Sequence, residues 1–414
     1  MHQIERKKYC VDGEWRESKT EKWMPVTDSS TGEVIAEVPC CTVDEVDSAI
    51  ASAQAAFPAW SQKSLSARTQ MMFKWRNVLL AHLDELTELC SKELGKNLDE
   101  ARGDVLKAIE PTEHACSLPT LMQGDASLQV TTGFDTATYR MPLGVVAGII
   151  PFNFPAMIPW GWVVPLAIAT GNTVVLKAAS LTPLTSMRIL ELFYEEGGFP
   201  KGVVNLVTCS RNEAELFLTD PRVKAVTFVG TTDVGKHIYS VASANGKRVQ
   251  AQCEAKNHAL VLDGRDIVVP GYENGYFVGP TIFDHVKPGM TIGDREVFGP
   301  VTLIKRVKDF DEGLAVMNAN PFANGSVIFT QSGYYARKFE FLTDGGMVGI
   351  NVGIPVPSAY FPFSGNKESF FGDLHVLGKD GVRFYTRAKT VTKHWYDEKS
   401  HARAVSTWEG TVER

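Results

Sequence analysis

Between Val145 and Gly230 the chain repeats one pattern, an apolar run too short for a buried helix followed by a stretch with helical spacing. The runs are Val145 to Ile150, Thr173 to Lys177, Val203 to Val207 and Ala225 to Gly230. The stretches between them are Trp162 to Ala169, Thr185 to Glu196 and Asn212 to Leu218. A strand that alternates polar and apolar residues keeps one face in water, whereas a strand apolar throughout is buried on both. Such strands in alternation with helices make βαβ units and a parallel sheet, so the fold class is α/β. Upstream, strand-like pieces run from Tyr9 to Trp15. Thr42-Val43-Asp44-Glu45 then forms a capping box before a helix carrying Val46, Ala49, Ile50, Ala53 and Phe57 at helical spacing. A second long helix is expected from Ser66 to Leu94, with Trp75, Val78, Leu79, Leu83, Leu86 and Leu94 on its buried side. Both helices are expected to cover one face of the sheet. The Thr-rich segment from Ser127 to Tyr139 alternates in polarity and reads as a projecting antiparallel hairpin.

A length of 414 residues with 44% hydrophobic content allows two or three ordinary globular domains. A net charge of -6 and a pI near 5.9 provide no basic stripe, which argues against nucleic acid and for a small-molecule partner. The opening residues have neither the apolar core of a secretory signal nor the composition of a transit peptide. The longest apolar stretch, Met157 to Ala169, contains Pro159 and Pro165 and falls short of the roughly 20 residues of a membrane helix. The expectation is a cytoplasmic protein with no membrane contact. Seven irregularly spaced cysteines fit neither a disulfide framework nor a zinc site, so free thiols and no metal are expected.

The run of strands ends abruptly. Ala259-Leu260-Val261-Leu262 reads as a buried strand, and a parallel neighbour requires a crossover of about a dozen residues or more. The chain passes instead straight into Asp263-Gly264-Arg265-Asp266 and a loop-like run.

Several residues stand where such a sheet would receive a ligand. Lys177 closes an apolar strand at its carboxyl end, where open α/β sheets bind small molecules. Gly230-Thr231-Thr232-Asp233-Val234-Gly235 follows a strand and opens a helix, so its amides and helix dipole can face a pyrophosphate. An ordinary turn using glycine for its positive φ is the alternative. Asn153 lies within Pro151-Phe152-Asn153-Phe154-Pro155, just after a buried strand, where a turn-capping role is also open. Glu296-Val297-Phe298-Gly299-Pro300 reads by itself as a strand end running into a turn.

In this order, and together with Val174-Val175-Leu176-Lys177 and Phe361-Pro362-Phe363-Ser364-Gly365, these motifs resemble the aldehyde dehydrogenase superfamily. Within it they resemble the CoA-acylating methylmalonate-semialdehyde dehydrogenases, from Val11 to about Trp395. The resemblance implies an NAD-binding domain over 1–124 and 145–262, a truncated α/β catalytic domain over 263–380, a small β oligomerisation element over 125–144 and 381–400, and a tail over 401–414. It implies NAD as cofactor, with Lys177 on the adenosine ribose and Phe152, Gly230, Thr231 and Gly235 around the rest of the nucleotide. Glu296 would bond the nicotinamide ribose and Phe298 pack beside the nicotinamide. Asn153 becomes the oxyanion-hole amide, a kind of donor whose loss costs about 3 kcal/mol. Phe363 belongs to the substrate side, with a core role equally open. Where the subfamily pairs the substrate carboxylate with an arginine after Ala101-Arg102-Gly103-Asp104-Val105, this chain has Lys107, a point charge in place of a planar fork. Pro111 is expected to disturb that helix.

The family's nucleophilic cysteine has no counterpart here, because its segment falls between Leu262 and Asp263, where on the order of 85 residues are missing, the size of a small subdomain. Cys253 lies nearest in sequence but on a strand expected to be buried, a poor setting for a thiolate. Gln252 replaces the general-base glutamate of hydrolytic members. An amide takes no proton from water, which fits CoA as acyl acceptor. Ala255-Lys256-Asn257-His258 and Ser369-Phe370-Phe371-Gly372-Asp373-Leu374-His375 match the acylating subfamily. For a complete member the resemblance implies oxidation of methylmalonate or malonate semialdehyde to propionyl-CoA or acetyl-CoA, in valine and pyrimidine catabolism, by a homo-oligomer, dimer or tetramer. Such an enzyme would be cytoplasmic, or in the mitochondrial matrix in a eukaryote. The chain as it stands is expected to be inactive, either as a shortened form of the dehydrogenase or as a catalytically dead NAD-binding pseudoenzyme. A hydrolytic aldehyde dehydrogenase is the third reading.

Overall fold

The computed structural model describes residues 4–256, 269–287 and 289–395. The junction at Leu262, with the strand expected over Ala259 to Leu262, and the tail 401–414 lie outside the described residues. The central sheet has eight strands: β1 (Tyr9–Val11), β2 (Glu14–Arg16), β3 (Val145–Ile149), β4 (Thr173–Lys177), β5 (Val204–Val207), β6 (Val223–Val229), β7 (Arg248–Gln252) and β8 (Phe370–Gly372). Their order is β8-β7-β6-β3-β4-β5-β1-β2. The five inner strands β3 to β7 are parallel, and antiparallel strands close both sides. The four apolar runs of the sequence are thus β3 to β6.

Side chains alternate across each strand. Val146, Val174, Leu176, Val204, Leu206 and Ala225 enter one core, while Val145, Ala147, Val175, Val207 and Val226 enter another on the opposite face. Helix α1 (Val43–Gln62) begins at the expected capping box, with the Thr42 side chain accepting from the Glu45 amide and the Glu45 carboxylate from the Thr42 amide. It sends Val46, Ala49, Ile50 and Ala53 into the second core. The expected second helix is two helices, α2 (Leu65–Ala81) and α3 (Leu83–Leu94), parted at His82, whose φ of -103° and ψ of 14° interrupt the helical path. Their residues Trp75, Leu79 and Leu86 enter the first core. The expectation that both helical stretches share a face is therefore corrected. A parallel sheet is buried on both sides, and these helices help to cover the two.

Pro111 also departs from expectation. Helix α4 (Leu98–Ala115) runs through it to Ala115. A proline inside a helix leaves the carbonyl four residues back without its donor and crowds it. Gly161 lies against that spot, and a Cβ added there would stand 2.7 Å from the Lys107 carbonyl oxygen.

The hairpin strands Ala126–Thr131 and Phe134–Pro142 are present, and Thr386–His394 pairs antiparallel with the second from Thr386↔Pro142 to His394↔Phe134. The remaining C-terminal elements are sparsely covered. Gly325–Ile328 and Met347–Ile350 pair in parallel around the helix Gly333–Leu342, and Thr281–Phe283 pairs with Val301–Leu303. Met347–Ile350 is apolar on both faces, yet Val348 and Ile350 lie exposed, as do Phe329, Tyr334, Phe341 (72%) and Ile354 (74%). No described helix is long and apolar enough to cross a membrane.

Candidate functional site

The chain leaves β3 for β4 and β5 on one side, then returns to place β6 on the other. Connections diverge at β3 and β6, and the crevice outside their carboxyl ends is where open α/β sheets bind ligands. Two sequence motifs emerge there: residues 151–155 after β3, and Gly230 with Thr231 after β6. Lys177 ends the adjacent β4, and Gln252 ends β7 beside β6.

The loop after β3 is fastened at almost every residue. Thr182 Oγ1 donates to the Phe152 carbonyl at 2.6 Å, and Ser186 Oγ to the Pro155 carbonyl at 2.7 Å. The Met157 amide donates to Asp104 Oδ1 at 2.7 Å. Lys96 Nζ bonds Asp104 Oδ2 at 3.0 Å and stands 3.6 Å from the centre of the Phe154 ring, a cation–π position. Asn153, half-buried at the centre of this loop, makes no side-chain hydrogen bond among the described residues. The backbone on either side of it is anchored, and its side-chain amide is left to donate.

The turn after β6 needs its glycines for space. A Cβ on Gly230 would meet the Phe228 ring at 2.5 Å, and one on Gly235 would meet Cys253 Sγ at 2.3 Å. The Gly230 amide donates to the Gln252 carbonyl at 3.1 Å, tying this turn to β7. Thr231 is the N-cap of helix α5 (Thr232–Ala244) but supplies no side-chain cap. Instead Glu254 Oε2 accepts from the Thr232 amide at 3.1 Å.

The Glu296 segment reaches the same crevice. Phe298, 65% exposed, meets Phe152 edge to face with ring centroids 5.8 Å apart. Lys256 Nζ donates to the carbonyls of Ile292 at 3.0 Å and Arg295 at 2.7 Å, fastening the residues before Glu296. Burial, and then the Glu254 charge, push the Glu296 carboxyl above the usual range. Phe152, Asn153, Lys177, Gly230, Thr231, Glu296 and Phe298 therefore gather at or beside the switch point, and Gly235 lies one helical turn behind.

Two candidates stand apart. Lys107 Nζ pairs with Glu110 Oε2 at 2.6 Å, and the other Glu110 oxygen accepts from the Ala359 amide at 2.9 Å. Burial opposes the Glu110 charge, but Lys107 and that amide outweigh it and hold the carboxyl below its ordinary value. Phe363 packs on the buried Trp162 with ring centroids 4.5 Å apart, and its carbonyl accepts from Gln252 Nε2 at 3.3 Å. It joins the edge of the core, the alternative open in the sequence. Gln252 Oε1 is buried without a partner among the described residues.

No thiol in this site is poised for attack. Burial, then Glu254, push Cys253 up to about 12 against the weaker pull of Lys236. Burial likewise raises Cys10 and Cys209 to about 12 and Cys116 to about 11, and raises Cys41 and Cys90 further. Cys40 is buried. A nucleophilic thiolate needs an exposed, electropositive setting, and none of the seven has one. Among the described residues no cluster of potential ligands could hold a metal ion.

Sequence reading passed over two buried acids. Asp104 joins Lys96, the Met157 amide and Cys90, and its signal was a charge on the apolar stripe of Ala101, Val105 and Ala108. Glu93 accepts from the Leu184 and Thr185 amides at 2.7 and 2.9 Å, capping the helix Leu184–Glu195, and burial pushes it up to about 7. The helix it caps lies far away in sequence, so nothing local betrayed it.

Comparison with known proteins agrees with this geometry. The model of the aldehyde dehydrogenase family matches residues 15–269 and again 263–391, two stretches that meet at the suspect junction. Malonate-semialdehyde dehydrogenase 1 of Oceanobacillus iheyensis is 39% identical over 476 aligned positions, covering 93% of this chain and 98% of that protein. Since 93% of 414 residues is about 385, about ninety of those positions face no residue of this chain. Among solved structures, methylmalonate-semialdehyde dehydrogenase of Oceanimonas doudoroffii superposes with a TM-score of 0.92 at 34% identity, covering 95% of this chain and 99% of that one. A Sinorhizobium meliloti protein assigned as a methylmalonate-semialdehyde dehydrogenase and solved with NAD gives 0.93 at 30% identity, covering 96% and 100%. By sequence motif, switch-point geometry and these likenesses, the chain belongs to the aldehyde dehydrogenase family.

Proposed function

We propose that this chain binds NAD in the crevice between β3 and β6, belongs to the malonate and methylmalonate semialdehyde branch, and does not oxidise aldehyde by itself. The residues fit a dinucleotide at its two ends. Lys177 stands at a strand end beside the switch point, and Glu296 with the exposed Phe298 faces Phe152. Between these ends, Gly230 and Gly235 pack the turn against Phe228 and Cys253, which sets the start of α5, where backbone amides would meet a pyrophosphate, beside β7. When bound, NAD would supply the hydride acceptor.

For a complete chain this reading assigns oxidation of malonate or methylmalonate semialdehyde with CoA as acyl acceptor, giving acetyl-CoA or propionyl-CoA with loss of carbon dioxide, as in pyrimidine and valine catabolism. Asn153 would donate to the developing oxyanion from a loop fixed in advance by Asp104, Lys96, Thr182 and Ser186. Gln252 offers no base for hydrolysis, because a carboxamide takes no proton from water at neutral pH, and this favours the acylating route over the hydrolytic one. The sheet of the 126–142 hairpin and Thr386–His394 is the proposed oligomer contact, and the division into nucleotide, catalytic and β elements follows the sequence reading.

The observation that carries the inactivity is burial: six of the seven cysteines are buried, Cys209 beside Lys177 among them, and Cys253 is half-buried against Gly235, so none offers an exposed thiolate. Mixing the purified chain with NAD, CoA and malonate semialdehyde should leave the NADH absorbance at its blank rate. Turnover that disappears after thiol alkylation would overturn this reading.

A further inference from the structure

The seat for an anion at the start of α5 is taken by the chain itself. Glu254 Oε2 accepts from the Thr232 amide at 3.1 Å, and Thr231, the residue placed to cap this helix, makes no side-chain cap bond. Helix N-termini carry unpaired amides and a partial positive charge, which stabilise a carboxylate as readily as a phosphate. The Glu254 position is anchored. Its carbonyl accepts from Ser369 Oγ at 2.7 Å, and the preceding Cys253 amide donates to the Ser369 carbonyl at 2.9 Å, so this backbone is clamped beside β8. Among the described residues, the two lysines near it in the chain are engaged elsewhere, Lys236 with Glu368 at 3.2 Å and Lys256 with two backbone carbonyls. Asp233 adds a second negative charge in the first turn of α5.

We propose that Glu254 is a built-in competitor for the nucleotide's pyrophosphate: its carboxylate occupies the amide the phosphates would use and sets the affinity of the site. The proposal rests on the NAD reading given above. Binding then requires the Glu254 side chain to swing off Thr232 and the cofactor's negative charge to approach a carboxylate with no ion-pair partner among the described residues. Both costs fall on the bound state and disappear when the acid is removed.

The test is calorimetric titration of the full chain with NAD, comparing the native protein with Glu254→Gly, Glu254→Gln and Lys177→Ala. Glu254→Gly should bind at least about tenfold more tightly, the scale of one charge-assisted hydrogen bond. Glu254→Gln, which keeps the shape and an acceptor but loses the charge, should fall between the two and covers the case of a glycine variant that folds poorly. Titration with inorganic pyrophosphate should show the same order. Equal affinities in native and Glu254 variants, with binding weakened in Lys177→Ala, would overturn the competitor and leave the NAD site standing. No heat with NAD in any variant would overturn both.

Discussion

Asp104 shows how a single buried charge can set up a site it does not enter. Its carboxylate is fully buried and joins Lys96 Nζ, the Met157 amide and the Cys90 thiol, and through Lys96 and Met157 it fixes both sides of the Asn153 loop. Removing one partner of a buried pair strands the other. Asp104→Ala should therefore cost about 3 kcal/mol or more in urea unfolding, and Asp104→Asn less. Glu93 predicts a pH effect. Burial raises it from 4.5 to about 7, so the folded chain binds this proton more tightly than the unfolded chain does. Its contribution to stability is complete below about pH 4.5 and is lost as pH rises through about 7. Glu93→Gln should cancel that loss, so the stability of the variant relative to the native chain should rise by about 3 kcal/mol across this window. A relative stability flat with pH would show that Glu93 stays charged in the fold. Neither acid announced a function in the sequence, because burial beneath remote helices is a tertiary property. Lys177 and the 230–235 turn were legible because a strand end and a strand-to-helix turn are local features. The position of Glu254 was readable, but its bond to Thr232 depends on how β7 and β8 meet.

At the scale of elements, β3 to β6 could be read from the sequence because burial on both faces leaves strands with no polar alternation. The break at His82 could not, since Leu83 and Leu86 continue the apolar spacing of the preceding helix and only the turn at His82 separates them. Pro111 misled for a related reason: its cost depends on what faces the orphaned carbonyl, and that is Gly161 from a distant segment. Gly161→Ala would press a methyl against the Lys107 carbonyl and should cost about 2 kcal/mol by thermal or chemical unfolding. An unchanged midpoint would show that the helices can part without strain. The C-terminal elements differ in kind. The helix Phe310–Asn318 has no buried residue and Gly333–Leu342 has Phe339 alone, whereas β3 to β5 are buried almost throughout. Native-state hydrogen exchange should find amides of these two helices opening well before those of β3 to β5. Equal protection would mean that another surface covers them in solution.

For the whole molecule, the exposed apolar residues from Phe329 to Ile354 and the split family match at 263–269 point to the same place. In the Oceanobacillus relative, about ninety aligned positions have no counterpart here, and the described C-terminal strands lack the second face their sequence calls for. The intact mass of the protein from its natural source distinguishes a natural 414-residue chain from a shortened one. A mass of 45.5 kDa identifies the 414-residue chain as the natural product, and a mass greater by about ninety residues identifies it as a shortened form of the dehydrogenase. A family site with no working nucleophile should form no NADH, and the measurement is NADH formation from malonate semialdehyde, NAD and CoA with the purified 414-residue chain. The rate should equal the blank before and after thiol alkylation. Steady turnover that alkylation abolishes would contradict it and would place a reactive cysteine in a site where the structure shows none.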